Sequence, residues 1–181
     1  CLQGLENLCP EFRATGRDAD GGYAEYMLAP ADFAHPLPGN FSDAEAAPLL
    51  CAGAIGYRSL RLAELDPGGS LGLTGFGASA HLVLKLVRHQ YPDLPVYVFA
   101  RSEKEQQFAM ELGASWAGGT EDQAPELMAA IIDTTPAWLP VVAAMRQLEP
   151  GGRLVINAIG KEPHDREFLT RIDYPCLLYT S

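Results

Sequence analysis

From Ser70 onward, short apolar runs alternate with stretches in which apolar residues recur every three or four positions. Runs bounded by turn residues read as buried strands, and the three-to-four spacing reads as helices packed on them. Their alternation predicts βαβ units and a parallel sheet. Strands are expected near 70–75, 95–100, 129–133 and 152–158, with a short one near 115–117. Helices should fill 78–90, 103–113 and 136–148. Ser102 to Glu105 is a capping box, in which the serine oxygen takes the Glu105 amide and the glutamate reaches back, so the middle helix starts there.

The first 41 residues have a different texture, rich in Gly and Pro. Within them apolar and polar residues alternate over Gly22-Tyr23-Ala24-Glu25-Tyr26-Met27-Leu28, which suits a strand in a mixed domain. Ser42-Asp43-Ala44-Glu45 is a second capping box and marks a helix start. Pro48 interrupts that helix. A second one is expected from Ala52 to Leu65, stopped by Asp66-Pro67-Gly68-Gly69. There is no internal repeat and no low-complexity tract.

Bulk properties narrow the field. At 181 residues and 48% hydrophobic content the chain has room for one domain plus part of another, with a packed core. Its net charge of −10 disfavours nucleic acid as a partner. No apolar stretch approaches the roughly 20 residues of a membrane helix, and no signal peptide opens the chain, so a cytoplasmic protein without membrane attachment is expected. The four cysteines, Cys1, Cys9, Cys51 and Cys176, read as thiols or metal ligands, because a chain this apolar does not need disulfide staples. Both ends look cut: the first residue is already a candidate ligand, and Cys176 to Ser181 resembles a translated sequencing adapter. Residues 175–181 are therefore expected to be a non-native tail, the alternative being an ordinary apolar strand.

Chemistry concentrates at two kinds of position. Leu71-Gly72-Leu73-Thr74 runs into Gly75-Phe76-Gly77-Ala78-Ser79-Ala80, a Gly-x-Gly-x-x-Ala turn between a strand and a helix. There the first glycine permits the tight turn, the second lets a pyrophosphate approach the backbone, and a small third residue lets helix and strand pack closely. The anion would meet the unpaired amides of the helix N-terminus. A glycine pattern alone can be a plain turn, but its place after a buried strand, with a second strand ending about 20 residues later, fits a dinucleotide site. A complete sheet of that kind has six strands, so a last strand is expected beyond this chain. At the end of the second strand Ala100 stands where an acidic residue would bind the ribose of NAD, and Arg101 follows, which points to NADP ahead of NAD. The plainer reading of Arg101 is a solvated residue at a helix start.

Cys1 and Cys9, seven residues apart, read as half of a four-cysteine structural zinc site. Cys51, at a break between two helical segments, is either a small buried hydrophobe or one of the three protein ligands of a catalytic zinc. His35, His81, His89 and His164 lack paired ligand spacing and read as surface or packing residues. Asp133 and Asn157, at strand ends, either face a cofactor crevice or cap the segment that follows.

Taken in order, Cys1-x7-Cys9-Pro10, Gly21-Gly22-Tyr23-Ala24-Glu25-Tyr26, Pro48-Leu49-Leu50-Cys51-Ala52-Gly53 and Gly75-Phe76-Gly77-Ala78-Ser79-Ala80 resemble the zinc-dependent alcohol dehydrogenases of the medium-chain dehydrogenase/reductase superfamily, over residues 1 to about 174. The resemblance implies a Rossmann-type doubly wound α/β sheet, five of six strands, preceded by part of a GroES-like catalytic domain. It places that partial domain at 1–50 and the NAD(P)-binding domain at 51–174. Cys1 and Cys9 would be the third and fourth ligands of the structural zinc, and Cys51 would complete the catalytic zinc. Gly75, Gly77, Ala78 and Ala80 would hold the pyrophosphate, and Ala100 and Arg101 would read the ribose. The cofactors implied are Zn2+ and NADP or NAD, the substrate a small alcohol or aldehyde, and the intact protein a homodimer or homotetramer. The remaining ligands lie outside this chain, so catalysis is expected of the intact protein and not of the fragment alone. A zinc-free quinone-type reductase of the same superfamily and a non-catalytic NAD(P)-binding module are the rival readings.

Overall fold

The apolar runs do assemble into one sheet. In the computed structural model, which describes residues 8–158 and 160–172, strands β1 (Leu71–Thr74), β2 (Val96–Phe99), β3 (Trp116–Gly118), β4 (Met128–Asp133) and β5 (Leu148–Ile156) lie in the order β3-β2-β1-β4-β5. Every neighbouring pair is parallel, with Leu71 opposite Val96 on one side and Ala130 on the other. Helix α1 (Asp43–Ala46) precedes α2 (Ala52–Ala63), and α2, α3 (Ala78–Gln90), α4 (Glu103–Glu111) and α5 (Leu139–Met145) pack on the sheet. Strand order reverses between β1 and β4, and in such sheets the crevice beyond the carboxyl ends of the strands at that point is where ligands bind.

A parallel sheet is buried on both faces, so its central strands are apolar throughout. One face of this sheet carries Leu71, Leu73, Val96, Val98, Ala130 and Ile132, which pack with Ala80, Val83, Leu84 and Val87 of α3 and with Leu60 and Ala63 of α2. Tyr97, Phe99, Met128 and Ile131 form a second cluster with Ala144 of α5. Each fully buried aliphatic side chain contributes roughly 1.5–3 kcal/mol by leaving water. Gly72 makes room for that second cluster: a Cβ there would lie 2.7 Å from Met128 Sδ and 2.8 Å from Ile131 Cγ1.

Most element ends match the expected pattern, and the differences have local causes. The break at Pro48 is a 3-10 turn, Ala47–Leu50, between α1 and α2. α2 stops at Ala63, ahead of the expected Leu65, because Glu64 turns into the left-handed region at φ 43°. α4 stops at Glu111, where Gly113 adopts φ +94° and donates to the Met110 carbonyl. The helix expected over 136–148 is only Leu139–Met145. Pro140 sits in its first turn, and the Asp165 carboxylate accepts the Trp138 and Leu139 amides at 2.6 and 3.1 Å, which fixes the helix start there. β5 begins at Leu148 and not near 152, because Met128 pairs with Leu148 before the register jumps to Ala130 and Arg153. Gly151 absorbs that irregularity at φ +81°.

The chain divides into two units between Ser42 and Asp43. In the first, none of the described residues 8–42 is buried. The strand expected over 22–28 is absent: these residues form bends followed by irregular backbone, and Tyr23, Tyr26 and Leu28 are exposed. A strand needs a hydrogen-bonded neighbour, and among the described residues of this unit the pairing consists of one isolated bridge, Thr15 to Ala19. Cys1 and the tail at 175–181 lie outside the described residues.

Candidate nucleotide-binding site

β1 delivers its last residue, Thr74, to the switch point, and the chain then turns sharply through Gly75 into α3. Gly75 has φ +75°, and a Cβ on it would lie 2.8 Å from Thr135 Cγ2 and 3.0 Å from Thr134 Oγ1. Both the conformation and the space require glycine. Gly77 is the opposite case, since a Cβ there would meet nothing within 4 Å. Its backbone faces open space at the N-terminus of α3, where the helix leaves amides without partners. Ala80 is fully buried in the cluster joining α3 to the sheet, which suits the small third residue of the turn. Phe76 is buried and packs edge-on against Phe108 of α4, with ring centroids 5.8 Å apart.

The end of β2 is held just as firmly. The Gly75 amide donates to the Phe99 carbonyl at 2.8 Å, and the Ala100 amide donates to the Gly118 carbonyl at 2.9 Å. Ala100 is buried, and its carbonyl accepts Gln106 Nε2 at 2.9 Å. Arg101 is exposed, with no side-chain hydrogen bond or ion pair among the described residues. Ser102 then caps α4 through the expected capping box, its Oγ accepting the Glu105 amide at 3.2 Å.

Asp133 neither caps the next helix nor lines the crevice as a free carboxylate. It is fully buried at the end of β4, where it accepts Thr74 Oγ1 and Thr135 Oγ1, each at 2.7 Å, and pairs with Lys161. The Lys161 ammonium also donates to the Thr135 carbonyl at 2.7 Å and lies 5.9 Å from the Trp138 ring centroid. Lys161 follows β5 in the chain, and nothing in the local sequence pattern singles it out as a partner of Asp133. Asn157, where β5 ends, donates its backbone amide to the Asp133 carbonyl at 3.0 Å, and its Nδ2 is buried with no partner among the described residues.

Of the candidate metal ligands, Cys9 and Cys51 lie among the described residues and Cys1 does not. Cys51 is an exposed free thiol at the N-terminus of α2, and Cys9 is half-buried in the other unit. Among the described residues no group of three or more His, Cys, Asp and Glu could hold a metal ion. His81 lies 3.1 Å from the Gly77 carbonyl through Nδ1, His164 contacts Glu162 at 3.2 Å, and His35 and His89 are exposed. A surface depression lined by residues including Glu121, Arg146 and Arg171 shares no residue with the turn. No helix among the described residues is long and apolar enough to cross a membrane.

No family model matches the chain. It is 48% identical over 159 residues to a Mycobacterium tuberculosis protein named "Probable alcohol dehydrogenase AdhA", covering 88% of this chain and 45% of that protein. It is 38% identical over 117 residues to an alcohol dehydrogenase of Geobacillus stearothermophilus, covering 65% of this chain and 34% of that one. The chain thus spans less than half the length of these curated relatives. A solved NAD-dependent alcohol dehydrogenase superposes with a TM-score of 0.80 at 22% identity, over 99% of this chain and 54% of that one, which shows the shared fold. Solved dehydrogenases with the same fold hold NAD, NADH or NADP.

Proposed function

Since the chain belongs to the alcohol dehydrogenases of the medium-chain dehydrogenase/reductase superfamily, we propose that its part in the reaction is to bind the dinucleotide NAD(P) at the turn from Gly75 to Ala80. The whole protein, on this reading, moves a hydride between a small alcohol or aldehyde and that cofactor. The observation that supports it best is the contrast between Gly75, walled in by Thr134 and Thr135, and Gly77, open to space at the start of a helix. A pyrophosphate needs that arrangement, a fixed turn followed by a backbone it can approach.

Bound NAD(P) supplies the hydride acceptor or donor. The chain's own residues do the rest of the binding. The open backbone at Gly77 and Ala78 receives the pyrophosphate, and buried Ala80 keeps α3 against the sheet. Ala100 leaves no carboxylate at the ribose position. Arg101, exposed and unpaired among the described residues, would meet a 2′-phosphate, which favours NADP over NAD. Residues 51–174 form the cofactor domain in this reading, and 1–50 belong to the catalytic domain.

Among the described residues no group of side chains could by itself hold a metal ion. Cys1, Cys9 and Cys51 are candidate zinc ligands of the whole protein on family resemblance, and zinc held there would supply a Lewis acid to the alcohol oxygen.

Titration of the purified chain with NADPH and NADH, followed by nicotinamide fluorescence, tests the reading. Saturable binding that is lost in Gly77→Asp supports it. Absence of binding at millimolar nucleotide overturns it.

A further inference from the structure

Asp133 and Lys161 form a buried ion pair that nothing in the proposed reaction uses. The Lys161 side chain is 6% exposed and the Asp133 side chain 0%. Taking two charges out of water is costly, so a pair like this is weak evidence for stability. Its surroundings point to another role. The Asp133 carboxylate holds the hydroxyl of Thr74, the residue before Gly75, and both the hydroxyl and the amide of Thr135, the amide at 3.3 Å. Lys161 holds the Thr135 carbonyl. Thr135 is therefore fixed by its amide, its hydroxyl and its carbonyl, and it is the residue whose methyl bounds Gly75. One buried carboxylate thus governs the residue that enters the turn and the wall against which it bends.

We propose that Lys161 is a positioning residue for the dinucleotide pyrophosphate: paired with Asp133 and Thr135, it sets the wall at Gly75 and hence the approach of the phosphates to Gly77. The inference rests on the dinucleotide reading above. Lys161 reaches this position from the segment after β5, so the last β-strand described and the first turn of the site are coupled through a single cation. Packed hydrogen-bonded networks of this kind carry coupling worth about a tenfold change in affinity.

The test is calorimetric titration of the full chain with ADP-ribose, which carries the pyrophosphate without the nicotinamide, alongside thermal unfolding without nucleotide. Lys161→Met alone strands a buried carboxylate and can unfold the chain. The informative variant is therefore the double change Asp133→Asn with Lys161→Met, which removes both charges at nearly constant volume. The expected result is a folded double variant whose Kd for ADP-ribose rises about tenfold, with most of the affinity kept in Lys161→Arg, which keeps a cation opposite Asp133. A double variant that binds within about twofold of the parent overturns the proposal, as does Lys161→Arg binding no better than the double variant. A double variant that does not fold assigns the pair to stability and also overturns it. If the parent chain itself fails to bind ADP-ribose, the dinucleotide reading falls and the positioning role with it.

Discussion

Thr135 stands so close to Gly75 that its Cγ2 would lie 2.8 Å from a Cβ placed there. The turn is thus closed to any other residue from the outside, while φ +75° closes it from within. Gly75→Ala should destabilise the chain by roughly 2–5 kcal/mol, combining a left-handed penalty of about 1–2 kcal/mol with an overpacking cost of about 1–3 kcal/mol. Urea unfolding measures it. A loss below about 1 kcal/mol would mean that Thr135 yields easily and is no wall.

Gly77 should respond in the opposite way. With nothing within 4 Å of an added Cβ and φ at −86°, Gly77→Asp should change stability by no more than about 0.5 kcal/mol. Its carboxylate would nevertheless occupy the space where the pyrophosphate is proposed to sit, at a helix end that favours a single anion. NADPH affinity should fall about tenfold or more, by like-charge repulsion and blocked approach. Unchanged affinity in the folded variant would place the phosphates elsewhere.

How far the sequence reveals this arrangement depends on how local each feature is. The strands from Leu71, Val96 and Met128 and the turn at Gly75 and Gly77 are written in contiguous residues, and pattern reading finds them. So is the Ser102 to Glu105 capping box, which spans one helical turn. The strand expected over 22–28 has the right alternation, but alternation supplies no partner, and strand formation is a property of pairs. The helix expected from 136 starts at Leu139 because Asp165, 26 residues further on, accepts its first amides. Lys161 and Asp133 are 28 residues apart, and no spacing rule links a lysine after one strand to an aspartate ending another. Cys51 is legible from its place between two helical segments as a cysteine with two readings, and nothing local separates a ligand from an exposed thiol.

Asp165 makes the cap at α5 sensitive to acid. Burial pushes its carboxyl up, but the Leu139 and Trp138 amides together with nearby His164 outweigh that, and the net shift is downward from the ordinary carboxylate value. A depressed folded pKa contributes stability that is complete above the unfolded value of about 3.9 and is lost as pH falls through the lower folded value. Asp165→Asn should therefore melt below the parent near neutral pH, and the gap in Tm should shrink as pH is lowered below about 4. Thermal unfolding across that range checks the sign. A gap that widens in acid would contradict a lowered carboxyl.

Arg101 offers the sharpest separation of binding from folding. The preceding residue, Ala100, is anchored through its amide to Gly118 and through its carbonyl to Gln106, and the following residue, Ser102, caps α4. The Arg101 backbone is thus held on both sides while its side chain stays exposed and unpaired among the described residues. Removing that side chain should leave stability within about 0.5 kcal/mol. A charge-assisted contact to a 2′-phosphate is worth roughly 1.5–3 kcal/mol, so Arg101→Ala should weaken NADPH by about tenfold or more while leaving NADH within about twofold. Because the contact would be made at an exposed site, the NADPH preference of the parent chain should also shrink as salt is raised. Parallel fluorescence titrations of both nucleotides at low and high salt decide the matter. An equal loss for NADH and NADPH would mean that Arg101 reads something the two cofactors share, and the preference for NADP proposed here would have to be abandoned.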